Sequence, residues 1–213
     1  FIRVQAKFTS VQRMRQPFAP KLRGEVESDG VTALRDDLGR LQGSGDIKLV
    51  AEDGEVLVHE TMLKARSSVF RAMLEAGMKE ARSREIDIKG ESLQTLTWFV
   101  SYLYTATLGV TTEVDKADDD DEVLDQLREL ACLGDKYDVS TLVEHCIKLF
   151  KTRLSGASVL RFLAIADELR HVEFKRYCLT YATKDKETLR AAMDSRSFAT
   201  LSASLSRELL SFH

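Results

Sequence analysis

Residues 56–78 read "VLVHETMLKARSSVFRAMLEAGM", and the reading of His59-Glu60 within them decides the fold. A zinc-protease helix needs H-E-x-x-H, so that two imidazoles one turn apart share a metal while the Glu polarises its water. Thr61, Met62 and Leu63 follow instead, and the second imidazole is missing. The stretch is therefore read as two short helices. The first runs from about Glu60 to Ala65. The second starts at a cap at Ser67 or Ser68 and carries Val69, Phe70, Met73 and Leu74 on one face.

Immediately upstream, "DIKLVAEDGEVLVH" places two apolar-rich runs around Asp53-Gly54, predicting a hairpin whose tight turn takes positive φ at those residues. Before it, Thr32 is expected to cap an amphipathic helix with Leu34, Leu38 and Leu41 at helical spacing. The "GSG" that closes this helix leads into a strand, where a dinucleotide fingerprint requires a helix. Downstream, "REIDIKG" alternates as a third strand, and "SLQTLTWFVSYLYT" is apolar at three and four spacing, a buried helix. From Val123 onward, helices are expected near 123–135, 139–154, 158–169, 171–183, 186–193 and 203–212, joined by short loops as in a bundle.

The N-terminal "FIRVQAKF" has the period-two pattern of a strand, and the stretch behind it holds both prolines and reads as a linker. The acidic run 113–122 repels itself and reads as a solvated loop. It has neither the central Gly nor the ligand spacing of a calcium loop.

Composition narrows the function classes. Hydrophobic residues are 44% and charged residues 31% of the 213, ordinary for a globular protein. A formal net charge of −3 gives no support to a surface built to grip nucleic acid, and no apolar run approaches a membrane span. Cys132, Cys146 and Cys178 lie too far apart for a metal clamp and read as reduced thiols of an intracellular protein. His59, His145, His171 and His213 are scattered, and neither a nucleophile elbow nor a phosphate loop occurs. No catalytic, cofactor or metal residue is assigned.

The ordered series that remains is the leucine helix, Asp46, the hairpin, His59, Leu63, Ala65, Arg66, Ser67, Phe70 and Met73. Tyr102-Leu103-Tyr104-Thr105 and Asp135-Lys136-Tyr137 follow. This series resembles a BTB (POZ) domain over about residues 31–154. The resemblance implies an α+β fold, a small sheet with a hairpin flanked by a helical cluster. The all-helical stretch 155–213 resembles a BACK region. Residues 1–12 resemble the last strand of a MATH domain and 13–30 its linker, the order of the speckle-type POZ protein branch.

That resemblance implies a non-catalytic adaptor of a cullin-3 ubiquitin ligase, in the nucleus, the cytoplasm or both. A two-fold homodimer would form through Leu34, Leu38, Leu41 and Met62, a self-complementary patch. Met78 and Glu80 would dock on the N-terminal repeats of cullin-3, with Tyr137 in the neighbouring loop contributing. A MATH domain would hold the substrate. Two departures stand out. Transcriptional BTB repressors place a basic residue after the His, where this chain has Glu60, and Ser206 replaces a tyrosine of the branch's second self-association surface.

Overall fold

The computed structural model describes residues 29–76, 82–108 and 120–212. The expected strand at 1–12, nearly all of the linker, most of the acidic run, and Met78 and Glu80 lie outside them.

The sheet is small. Strand β1 (Ile47–Val50) pairs antiparallel with β2 (Glu55–Val58), Ile47 opposite Val58. On its other side it pairs parallel with β3 (Glu85–Asp87), Leu49 opposite Ile86, giving the order β2-β1-β3. Side chains alternate about the pleat, so Ile47, Leu49, Val58 and Ile86 are buried, while Lys48 reaches out to Glu55 at 2.9 Å.

The hairpin turn differs from the expected one. Ala51–Gly54 make a four-residue connection closed by the Ala51 N–H donating to the Gly54 carbonyl at 2.8 Å, and neither Asp53 nor Gly54 has positive φ. Both residues serve the neighbouring helix instead. Asp53 Oδ1 accepts from the Leu93 N–H at 2.5 Å, and a Cβ on Gly54 would lie 2.7 Å from Leu93 Cδ2.

Thr32 lies inside helix α1 (Asp29–Gly39) and does not cap it. Helices α2 (Glu60–Arg66) and α3 (Ser68–Glu75) follow the hairpin. Helix α4 (Leu93–Thr105) is the central pillar: Leu96, Phe99, Val100, Tyr102 and Leu103 are all buried, and it touches α1, α2, β2 and the helix after it.

The rest is helical: α5 (Asp120–Lys136), α6 (Ser140–Thr152), α7 (Val159–Glu168), α8 (Val172–Ala182), α9 (Lys186–Met193), α10 (Arg196–Thr200) and α11 (Ala203–Ser211). Helix α10 was not anticipated, because five residues are too few to display a period. Consecutive pairs α5/α6 and α7/α8 pack side by side. One continuous core runs from Ile47 to Leu209. It crosses from α6 into α7 and α8 through Phe150, whose ring lies 5.3 Å from Phe162 and 6.1 Å from Phe174.

All three cysteines are free. Burial pushes the thiols of Cys146 and Cys178 up to about 12 and that of half-buried Cys132 to about 11, so none is a nucleophile near neutral pH.

Candidate protein-interaction surfaces

The expected dimer residues divide into two kinds. Leu34 and Leu41 are 59% and 45% exposed, whereas Leu38 and Met62 are half-buried against the chain's own core. Val31, at 49%, extends the exposed apolar stripe by three residues. Its spacing to Leu34 was readable, but the cap assigned to Thr32 placed it outside the helix. Helix α1 is held from beneath, where Arg35 Nε donates to the Thr105 carbonyl at 3.1 Å.

A second constellation joins segments seventy residues apart. Ser67, 1% exposed, caps α3 by accepting from the Phe70 N–H at 3.0 Å, and its hydroxyl donates to the Tyr137 carbonyl at 2.5 Å. Beside it, the Ser68 hydroxyl donates to Asp138, which sits at φ 53°. The loop between α5 and α6 is thus clasped to the start of α3 by two hydroxyls.

Tyr137 itself requires a correction. Its side chain was expected to help meet a partner, yet the residue is 5% exposed, with its ring stacked on Phe70 at 4.2 Å and 4°. Burial pushes its phenol up to about 12. Stacking on the core outweighs exposure for so large an apolar ring, so Tyr137 anchors the loop, and Asp138 is the residue the loop presents.

The third site surrounds the signature histidine. The His59 N–H donates to the Tyr104 hydroxyl at 2.9 Å, and His59 Nδ1 lies 2.7 Å from the same oxygen. With one proton and two lone pairs, that hydroxyl serves the backbone N–H and the imidazole ring at once. His59 is tied into the fold in this way, and among the described residues no group of His, Cys, Asp or Glu could hold a metal.

Next to it, Asp46 Oδ1 accepts from the Glu60 N–H at 2.8 Å, capping the first turn of α2. Arg84 pairs with both Glu60 and Asp46, the latter at 3.5 Å, and Lys64 reaches Glu60 at 2.7 Å. Arg84 adopts φ 57° to do so. The cation missing after the histidine is therefore supplied from the residue before β3, a contact that no local sequence signal announces.

These charges set an acid response. The Glu60 N–H, with Arg84 in support, holds the Asp46 carboxyl below its usual value, and Lys64 followed by Arg84 does the same for Glu60. A carboxylate whose folded value is depressed contributes stability above its unfolded value and loses it as pH falls through the folded one. The loss therefore begins near pH 4, where unfolded carboxylates titrate, and continues below. Asp46→Asn keeps an acceptor but removes the charge. It is expected to lower the urea midpoint at neutral pH, and the gap to the unmodified chain should close below about pH 4.

The BTB/POZ domain family matches residues 39–154. Kelch-like protein 3 of Mus musculus is 33% identical over 122 residues, 57% of this chain but only 19% of its own length. A BTB/POZ domain-containing protein of Arabidopsis thaliana is 28% identical over 164 residues, 76% of this chain and 46% of that protein. The chain thus spans less than half the length of either relative. Among solved structures, the BTB domain of zebrafish PATZ1 aligns with a TM-score of 0.44 at 17% identity, covering 62% of this chain and 99% of that one. With the family matched over more than half its length, and with hairpin, helix pair and central helix in place, this chain belongs to the BTB/POZ domain family.

Proposed function

We propose that the chain is the self-associating, scaffold-docking part of a cullin-3 ubiquitin ligase adaptor, acting without catalysis of its own. The reading rests on the resemblance described above and on one observation, the clasp between Ser67-Ser68 and Tyr137-Asp138. It fixes α3 against the loop joining α5 and α6, so the segment leaving α3 starts from a rigid platform. Met78 and Glu80 belong to that segment. An apolar anchor beside an orienting charge suits a groove on the cullin-3 N-terminal repeats.

Self-association runs through the α1 face. Val31 and Leu34 on α1, with Leu41 in the turn just after it, are left to solvent, and burying them against a second copy around a two-fold axis satisfies them. Leu38 and Met62, half-buried against the core, would complete that interface. In the whole protein a MATH domain before residue 13 would hold the substrate, and two copies would engage it with avidity. The working place of such an adaptor is the nucleus, the cytoplasm or both.

A second reading, a self-associating scaffold or transcriptional co-regulator without cullin binding, is favoured by Arg84, which restores a cation beside Asp46. Calorimetric titration with the N-terminal repeats of cullin-3 separates the two. Saturable binding is expected, weakened roughly 30-fold or more in a folded, dimeric Met78→Glu, Glu80→Arg variant. Absence of binding by the unmodified chain would overturn the ligase reading and leave the scaffold.

A further inference from the structure

The end of α6, the turn into α7 and the short helix α10 surround a cleft of about 740 Å³ whose lining is rich in hydroxyls and whose charged residues are mostly cations. Arg153, Arg161 and Arg196 face it, against a single acidic residue, Asp125. Asp125 is engaged by Arg161, whose Nη2 lies 2.9 Å from its Oδ1. With Arg161 paired to Asp125, Arg153 and Arg196 carry the remaining charge of the lining, both positive.

Arg153 carries the argument further. Its Nη1 is buried and has no hydrogen-bond partner among the described residues. A guanidinium has five N–H donors and no acceptor, and a charged donor shut away from water without an acceptor is costly. Ser197 and Thr200 add hydroxyls to the rim.

We propose that this cleft is a binding site for a phosphate monoester. Such a group carries close to two negative charges near neutral pH and three acceptor oxygens, which matches the excess charge of the lining. Its oxygens suit the planar, forked donors of arginine better than a lone ammonium would. The cleft is far larger than the phosphate alone, so the ligand brings an organic body with it, which the exposed Ala157 offers apolar surface to receive. Nothing in this site depends on the cullin or dimer surfaces.

The test is calorimetric titration of the whole chain with three probes at matched ionic strength: a short phosphoserine peptide, its unphosphorylated form, and free O-phosphoserine. The phosphopeptide is expected to bind saturably at one site and the unphosphorylated peptide not at all. Free phosphoserine binding as tightly as the peptide would support the site and identify a small phosphate ester as its ligand. Weaker binding would support it with a phosphorylated protein segment as the source. Arg153→Gln is expected to weaken binding about tenfold, and so is Arg196→Gln. Arg196 is exposed and free of ion pairs among the described residues, so its replacement leaves folding undisturbed. Arg176→Gln, on the outer face of α8, should leave affinity unchanged. Equal affinity for the unphosphorylated peptide, or affinity untouched by both cleft variants, would overturn the proposal.

Discussion

Replacing Phe70 by Ala is expected to lower the unfolding free energy by about 3–5 kcal/mol, the range for a fully buried aromatic ring. Phe70 has 0% exposure and stacks on Tyr137, while Phe99 tilts against it at 6.4 Å. The size of the loss depends on how far the neighbours can close the hole. Tyr137 cannot swing in freely, because its carbonyl is held by Ser67 and its ring lies 6.0 Å from Phe99. The cavity should therefore persist, which places the cost in the upper part of that range. Urea unfolding followed through Trp98, the one tryptophan of the chain, measures it. Phe70→Leu, which keeps most of the volume, should cost markedly less. A loss no greater for Ala than for Leu would mean that the three-ring cluster collapses around the gap.

The second large effect concerns a residue with no side chain. At Gly45 a Cβ would lie 2.0 Å from the Val58 carbonyl carbon and 2.5 Å from the His59 nitrogen. Those are backbone atoms of a paired strand and of the first residue before α2, so they cannot rotate away. Gly45→Ala must push β1 and β2 apart at the end where Ile47 faces Val58, and the cost is expected to reach about 3 kcal/mol, the upper end for overpacking. Gly43, two residues away, is the control. It sits at φ 79° with nothing within 4 Å of a Cβ, so Gly43→Ala carries only the conformational penalty of about 1–2 kcal/mol. Thermal unfolding of the pair ranks them, and an equal loss would contradict a steric role for Gly45.

Much of this fold is visible in the sequence because its elements obey local rules. The alternation at Ile47 and Leu49, the cap at Ser67 and the apolar spacing of α4 each arise within a few residues. The turn at Asp53-Gly54 was misread because both residues answer to Leu93, forty residues on, rather than to the hairpin. Tyr137 was misread for a similar reason. Family resemblance put it beside the docking segment, and only the meeting with Phe70 shows its ring to be core. Arg84 went unnoticed as the partner of Asp46 and Glu60 because it joins them through the sheet. The recurring difficulty is long-range pairing, which no window of residues contains.

Phe150 carries a last implication. Its ring belongs to α6, within the stretch matched to the family, yet it packs against Phe162 and Phe174 beyond that stretch. A boundary drawn at residue 154 therefore marks where family likeness ends and does not coincide with a mechanical seam. Cutting there would strip the cover from a ring that has 0% exposure and leave an apolar face open to water, the kind of surface that invites aggregation. The two halves accordingly behave as one cooperative unit, and melting of the C-terminal helices is felt directly by α6 and the loop that precedes it.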